Sequence, residues 1–345
     1  MPHHSSPQLH RCLAALVVVT ALALTGCTSA DSGVAVTTER ATTGASTDPL
    51  ERPLYVDPDS SPARQVRAWA TDPARAGDRA LIARIAAQPM GVWLTNDADG
   101  PRRAARVSRA ADRRGQTPVF VAYNIPGRDC GLYSAGGAAD GDRYRRWVTR
   151  VAAAIGRRPA IVVLEPDAAS QAAAGACGGQ QASVRLGLLR DAVRILGAGP
   201  NTRVYLDAGN ADWMPPRRMA PALRRAGIAQ ADGFAVNVSN FETTAASTAY
   251  GERLSRLVGG KRFVIDTSRN GNGPYADGTS EDWCNPPGRA LGSAPTTDTG
   301  RRLVDAHLWV KIPGESDGTC RGGPPAGTWW PEYALGLISA AESRP

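Results

Sequence analysis

The sequence predicts a distorted, parallel β/α barrel of about seven strands with its helices on the outside. From Pro53 onward, short apolar runs rich in β-branched residues alternate with Ala- and Arg-rich segments of helical length. This alternation is typical of βαβ units with a parallel sheet. Seven such units in roughly 290 residues fit a closed or nearly closed, TIM-barrel-like sheet better than an open one. No glycine-rich phosphate fingerprint follows the first strand, which disfavours a dinucleotide-binding fold.

The amino-terminal part of the chain reads as an export signal and a tether. Residues 1–26 have a weakly basic start and the apolar core Leu13–Leu24, and they lead into Cys27 in an LTGC motif that resembles a bacterial lipobox. We therefore expect a lipoprotein signal peptide and acylation of Cys27, with an ordinary secreted protein as the alternative. Residues 27–52 are rich in Ser, Thr and Ala and predict a flexible tether. Residues 53–345 form the predicted folded domain.

The remaining cysteines indicate disulfides. They are Cys130, Cys177, Cys284 and Cys320. An even number in an exported chain favours two disulfides, although the spacing leaves three pairings open.

The net charge of +8 does not by itself predict an anionic partner. The arginines are scattered over predicted helices such as Pro101–Arg114 and Arg143–Arg158, a pattern typical of solvated outer faces rather than of a nucleic-acid surface. Lysine occurs only at Lys261 and Lys311, so Lys311, which follows an apolar run, stands out.

Seven runs predict the strands of the barrel. In chain order they are Gly91–Leu94, Pro118–Tyr123, Ile161–Leu164, Arg203–Leu206, Gly233–Val236, Arg262–Ile265 and Ala306–Val310. Segments with amphipathic helical patterns lie between them, among them Gln181–Leu196 and Ala245–Val258.

Charged and amide side chains follow almost every one of these strands. The third strand leads directly into Glu165 and Asp167, and Pro166 ends it. A helix N-cap is the alternative role for Asp167. The others that follow strands are Arg128, Asp129, Asp207, Asn237, Asn240, Asp266, Lys311, Glu315 and Asp317. Because the carboxyl ends of barrel strands meet at one face, we expect a shared active site there.

The residue types in this set restrict the chemistry. His307 is the only histidine of the predicted domain, and it falls within a strand, which argues against a Ser-His-Asp triad and against a His-ligated zinc site. A divalent metal held by carboxylates stays open as an alternative. Trp93, Trp213 and Trp283 flank the acids and suit the flat faces of sugar rings, with core packing as the alternative for each. Paired carboxylates across a glycosidic bond are typical of glycoside hydrolases.

Eight segments resemble the signature blocks of glycoside hydrolase family 6, the cellulases that cut β-1,4-glucan with inversion. They are YNIPGRDC, VLEPD, VYLDAGNADW, NVSNF, FVIDTSRNG, DWCNPPGRALG, LWVKIPGESDGTC and WWPEYAL. The blocks follow the family's order from about Trp93 to the end of the chain. The resemblance implies that residues 53–345 form a catalytic domain that needs no metal or other cofactor and acts on β-1,4-glucan.

The resemblance also implies roles for individual residues. Asp167 matches the general acid, Asp129 the neighbour that keeps it protonated and helps hold the hydrolytic water, and Asp317 the candidate general base. Arg128 is expected to pair with Asp317 or Asp129. The remaining matches are Tyr123 at the cleaved sugar, Asp207 behind Asp167, and the substrate-binding residues Trp93, Trp213, Asn237, Asn240, Trp283, Lys311 and Glu315.

The family's disulfides match Cys130 with Cys177 and Cys284 with Cys320. The chain departs from the family pattern at Asn210, where many members have histidine, and at Ala135, where a serine helps hold the catalytic water.

Three functions stay open at this point. The first is an endoglucanase, favoured because the region from Asp317 to Pro331 is too short to roof a cleft. The others are a cellobiohydrolase and a weakly active, cell-surface β-glucan-binding lipoprotein. We expect an exported monomer, at the cell surface or secreted, whose only contact with a membrane is the lipid anchor.

Overall fold

The computed structural model describes residues 46–96, 98–177 and 179–343. Within this part of the chain, seven strands form one fully parallel sheet whose spatial order follows the sequence order. The strands are β1 (Val92–Leu94), β2 (Val119–Ala122), β3 (Ala160–Leu164), β4 (Thr202–Asp207), β5 (Gly233–Val236), β6 (Arg262–Asp266) and β7 (Val304–Leu308). The predicted fold class is confirmed, with β7 beginning two residues earlier than expected.

Both faces of the curled sheet are apolar. Successive strand residues point to opposite faces, so one alternate set, including Val121, Val163 and Val264, packs together inside the curl. The other set, including Val162 and Phe234, packs outward in a larger cluster with the helices. Each strand is therefore buried on both sides, as the continuous apolar runs indicated.

The two edge strands of the curled sheet approach each other. The Gly91 amide, just before β1, donates to the Trp309 carbonyl just after β7 at 2.8 Å. Trp93 Nε1 donates to the Val310 carbonyl at 2.9 Å. A side chain at position 91 would overlap the Val310 carbonyl oxygen, so a glycine is required there. The sheet is thus a distorted, nearly closed barrel.

The helices surround this sheet. They are α1 (Ser61–Ala68), α2 (Ala76–Ala86), α3 (Asp99–Asp112), α4 (Gly141–Ile155), α5 (Ala168–Ala174), α6 (Gly179–Gly197), α7 (Pro216–Arg225), α8 (Thr244–Leu257) and α9 (Pro331–Glu342). α4 ends three residues before the predicted Arg158, because Gly156 adopts φ 65° at its carboxyl end. α2 and α9 pack through a third apolar cluster, which includes Ile85 and Leu337.

The folded domain begins earlier than position 53. Pro49–Glu51 form a 3-10 turn, Arg203 Nη2 lies 2.7 Å from Asp48 Oδ2, and Arg52 Nε donates to the Gly115 carbonyl at 3.1 Å. Residues 46–52 are therefore part of the domain, and the predicted tether is too long at its carboxyl end because these contacts anchor it. Residues 1–45, including Cys27, lie outside the described residues. In the described part of the chain, no helix is long and apolar enough to cross a membrane.

Candidate active site

The residues after β3 adopt an unusual backbone conformation. Glu165 has φ 50° and Asp167 has φ 69°, both in the left-handed region that non-glycine residues seldom adopt. Asp167 precedes α5, but its side chain makes no capping hydrogen bond. The N-cap interpretation is therefore wrong, and strain of this kind is typical of functional sites.

Asp167 and Asp207 form a close acidic pair at the ends of β3 and β4. The Asp167 amide donates to Asp207 Oδ2 at 2.9 Å, and the Gly209 amide donates to the same oxygen at 3.1 Å. Burial raises the pKa of Asp207 to about 7, although hydrogen bonds from backbone amides lower it. Burial and then the charges of Asp207 and Asp129 hold the pKa of Asp167 well above its ordinary value. Asp167 therefore has the protonation state of a general acid near neutral pH.

Asp129 lies beside this pair, at the start of a short 3-10 turn. Its Oδ2 accepts from the Ser134 amide at 2.7 Å, and its Oδ1 accepts from Gln171 Nε2 at 3.3 Å. Burial raises the pKa of Asp129, and these two hydrogen bonds oppose the shift. Gln171 was missed by sequence reasoning. Its position four residues after Asp167, one turn along α5, was the available signal.

Arg128 does not form the ion pair that we expected. Among the described residues, neither Asp129 nor Asp317 lies in an ion pair with Arg128. The guanidinium instead donates to four backbone carbonyls, those of Thr95, Tyr123, Ser134 and Ala135. It also lies 4.7 Å from the centre of the Tyr123 ring. The loop from 128 to 136 folds back and brings its carbonyls within reach, so Arg128 fixes the loop that carries Asp129.

Tyr123 follows β2 and lies near the two acids Asp167 and Asp129. Burial and then the charges of Asp167 and Asp129 raise the pKa of its hydroxyl, which places that hydroxyl near both acids. Its ring meets Trp93 edge to face at 5.2 Å. Trp93 itself packs against the apolar interior of the barrel.

Asp317 has the opposite electrostatic environment. Its Oδ2 accepts from Arg269 Nη1 at 2.8 Å and from the Asn285 amide at 3.1 Å, and Lys311 Nζ lies 3.4 Å from its Oδ1. Burial alone would raise the pKa of Asp317, but Arg269 and Lys311 outweigh it and hold the pKa below its ordinary value. Asp317 is therefore ionised near neutral pH, as a base requires.

Arg269 is the principal residue that sequence reasoning missed. It is fully buried, donates to the Ser239 carbonyl at 2.6 Å and lies over the Phe241 ring at 4.4 Å. Asp266, three residues before it, accepts from the amides of Ser239, Ser268 and Lys311. Asp266 thus ties three loops together rather than facing a substrate.

The structure separates the predicted substrate-binding residues into two groups. Asn237 is fully buried, and its side-chain amide bonds Glu242 and the Asp266 carbonyl, so its predicted contact with substrate is wrong. Asn240 is only half-buried. Trp213 is 38% exposed, and Asn210 Oδ1 accepts from the Asp212 and Trp213 amides. The asparagine that replaces the family histidine therefore shapes the turn that presents Trp213.

The other side of the site carries Trp283, Lys311 and Glu315. Trp283 is half-buried and packs edge to face with Tyr133 at 6.1 Å. Lys311 Nζ donates to the Ser316 carbonyl at 3.1 Å, and this hydrogen bond holds the ammonium next to the loop that carries Asp317. Glu315 Oε1 accepts from Ser61 Oγ at 3.0 Å, and burial raises the pKa of Glu315. These groups can donate to and accept from sugar hydroxyls.

Both disulfides implied by the resemblance are formed. Cys130 bonds Cys177 next to Asp129, and Cys284 bonds Cys320 near Asp317. Each one ties down a loop that carries an acid, and disulfides of this kind are typical of exported proteins. No group of three or more His, Cys, Asp or Glu side chains suited to a metal occurs within the described ranges.

The raised pKa of Asp167 predicts that Asp167→Asn stabilises the protein at neutral pH. An unfolded aspartate titrates near about 3.9. The folded state therefore binds more protons above that pH, and the free energy of unfolding falls as pH rises through the folded pKa. Asparagine does not titrate and tolerates positive φ. The variant should melt higher than the wild type at pH 7, with the gain shrinking towards about pH 4.

Calorimetry over this pH range, with the exposed Asp142→Asn as control, tests the prediction. A gain that is absent at pH 7 or independent of pH would contradict a raised pKa at Asp167.

Comparisons with known proteins agree with this geometry. The model of the glycosyl hydrolases family 6 matches residues 50–341. Endoglucanase A of Cellulomonas fimi is 46% identical over 291 residues, covering 84% of this chain and 61% of its own length. Endoglucanase 1 of Streptomyces halstedii is 42% identical, covering 83% of this chain and 88% of its own.

Among solved structures, the endoglucanase Cel6 of Mycobacterium tuberculosis, in complex with a thio-linked cellobiosyl cellobioside, superposes with a TM-score of 0.79 at 42% identity. The match covers 86% of this chain and all of that one. The chain thus spans about three fifths of the C. fimi relative and the full length of the solved domain. The chain belongs to glycosyl hydrolase family 6.

Proposed function

We propose that this protein is an endo-β-1,4-glucanase that hydrolyses cellulose or a related β-glucan with inversion. The observation that carries the proposal is the opposite electrostatic setting of two carboxyls at one face of the barrel. The pKa of Asp167 is raised and that of Asp317 is lowered. A protonated and an ionised carboxyl are the two groups that inverting hydrolysis requires. The relatives named as endoglucanases support the same activity.

In the proposed mechanism, Asp167 gives its proton to the leaving glycosidic oxygen. Water attacks the anomeric carbon from the opposite face of the sugar, and its proton passes towards the ionised Asp317. Asp129 and Asp207 keep Asp167 protonated until the bond breaks, since each negative charge disfavours a second one nearby. Arg269 and Lys311 keep Asp317 ionised.

Water can be held without the family serine at position 135. The Ser134 amide is taken by Asp129 Oδ2, and the Ala135 carbonyl accepts from Arg128. The loop is thus ordered by its backbone, which fixes the Asp129 carboxyl as a polar group that can hold the water.

The shape of the Asp317 loop favours cleavage inside chains. After Asp317 the chain folds back on itself: the Gly327 amide donates to the Ser316 carbonyl, the Ser316 amide to Thr328, and the Trp330 amide to Gly314, at 2.8–2.9 Å. These hydrogen bonds tie residues 327–330 to residues 314–316, so only residues 317–326 can extend over the site, and this short length supports an open cleft. An open cleft accepts the middle of a polymer, whereas a cellobiohydrolase needs a roofed one.

An endo-acting enzyme should lower the viscosity of carboxymethyl cellulose rapidly while it releases few reducing ends. Viscometry and reducing-sugar assays on the same samples measure the two. Slow viscosity loss with steady release of cellobiose from crystalline cellulose would assign a cellobiohydrolase instead. Binding of cellulose without release of reducing ends would assign a β-glucan-binding protein.

We further propose that the protein is exported and acts as a monomer on β-1,4-glucan. The two disulfides support an oxidising compartment. Anchoring through an acylated Cys27 stays a prediction from the LTGC motif, with release as a secreted enzyme as its alternative.

A further inference from the structure

Glu165 is a buried carboxylate that the proposed mechanism does not use. It is fully buried at the end of β3, two residues before Asp167. Both of its side-chain oxygens accept from the Asn124 amide at 3.0 Å, and Oε2 also accepts from the Ile125 amide at 3.0 Å. Its left-handed backbone, φ 50°, persists only where surrounding contacts enforce it.

Arg185 of α6 holds the same segment from the other side. It is 5% exposed, and its Nη2 donates to the Pro126 carbonyl at 3.3 Å and to the Gly127 carbonyl at 2.7 Å. The glutamate therefore binds the amides and the arginine binds the carbonyls of residues 124–127. These four residues lead directly into Arg128 and Asp129.

We propose that Glu165 is a positioning residue which, together with Arg185, fixes residues 124–127 and thereby holds Asp129 at the correct distance from Asp167. The proposal rests on the proposed hydrolytic function. Glu165 touches no substrate in this account, and it acts through the loop that carries Asp129.

The charges around Glu165 support this role. Burial raises the pKa of Glu165 to about 7, and the amides of Asn124 and Ile125 oppose the shift. Tyr144 of α4, Arg185 of α6 and Arg128 of the loop face the carboxyl. The ionised form is an acceptor on both oxygens and carries no donor, which suits the two amides.

Glu165→Gln separates positioning from simple structural support. The variant keeps the length of the side chain, but its NH2 group is a donor and would face a backbone amide, which is also a donor. Residues 124–127 should therefore shift away from position 165. As Asp129 moves away, its charge raises the pKa of Asp167 less. We therefore expect kcat to fall about 10- to 100-fold with KM changed less than about threefold. We also expect the basic limb of the pH–rate profile to move about half a unit or more to lower pH.

Two further variants complete the design. Glu165→Asp keeps the charge, but its side chain is too short to reach both amides. The basic limb of its pH–rate profile should therefore also move to lower pH, by less than in Glu165→Gln. Asp305→Asn removes a different buried carboxylate, which accepts from Tyr205 Oη at 2.8 Å in the amino-terminal half of β7. It controls for loss of a buried acid, and its pH profile should match that of the wild type.

Hydrogen exchange at the Ser134 amide, which donates to Asp129, gives a readout that needs no activity. The Ser134 amide should exchange at least about tenfold faster in Glu165→Gln than in the wild type, and its exchange rate should be unchanged in Asp305→Asn. A wild type that does not hydrolyse β-glucan would refute the proposed function, while faster exchange would still support the positioning role. An unchanged basic limb together with unchanged Ser134 exchange would overturn the proposal.

Discussion

Replacing Asp167 with alanine should lower turnover on β-glucan by roughly two to four decades, the usual scale for loss of general acid catalysis. Burial and the charges of two neighbouring acids raise the pKa of Asp167, and the proposed mechanism makes this carboxyl the proton donor to the leaving oxygen. The fold should persist, because the Asp167 contact that anchors β3 to β4 is made by its backbone amide to Asp207. Initial rates on soluble cellulose measure the loss.

The leaving group provides an internal control for this variant. In a dinitrophenyl cellooligosaccharide, the dinitrophenolate leaving group departs without protonation. Asp167→Ala should therefore lose far less of its turnover on this substrate than on β-glucan. Equal losses on both substrates would mean that Asp167 contributes something other than the proton. Near-normal hydrolysis of β-glucan would remove Asp167 from the mechanism.

Arg269→Met should abolish most activity and also lower stability. Arg269 and Asp317 form a buried ion pair, with side chains 0% and 5% exposed. Removing one partner of such a pair typically costs about 3–5 kcal/mol, which corresponds to a fall in melting temperature of roughly 5–8 °C for a domain of about 300 residues. The pKa of Asp317 should rise because the charge and the hydrogen bond of Arg269 are lost, while only Lys311 and the Asn285 amide of the named partners remain to stabilise the ionised form. The acid limb of the pH–rate profile should therefore move to higher pH.

The matched control is Arg145→Met. Arg145 pairs with Asp142 and Asp191 on the surface, with its own side chain 45% exposed. Exposed pairs contribute at most about 1 kcal/mol, so this variant should keep its activity and nearly all of its stability. An Arg269→Met protein as stable and active as Arg145→Met would contradict the role given to the buried pair.

The strands and the general location of the site could be predicted because they depend on local patterns. A run such as Ile161–Leu164 can be buried on both faces only as a central strand, and the residues that follow such strands must meet at one face. The bounds of β7 were shifted because Val304 pairs with Phe263 of β6, while the polar Asp305 that follows it falls where the register between the two strands shifts.

The partners of the site residues could not be predicted in the same way. Whether Arg128 or Arg269 pairs with Asp317 depends on which loops meet in space, and both arginines follow strands of the same sheet. Asn237 resembled a substrate contact because it follows β5, yet its positive φ of 66° turns its amide into its own loop. Glu165 accepts from the amides of Asn124 and Ile125, about forty residues away in the sequence, and such a contact cannot be read from the spacing of residues.

The stereochemistry of the first product tests the central claim of inverting hydrolysis most directly. Proton NMR recorded within the first minutes of hydrolysis of a cellooligosaccharide distinguishes the anomers before mutarotation mixes them. Attack by water on the face opposite the leaving group, with Asp167 as acid and Asp317 as base, predicts that the α-anomer forms first. Formation of the β-anomer first would show that a carboxylate acts as nucleophile, and it would contradict the roles assigned to both residues.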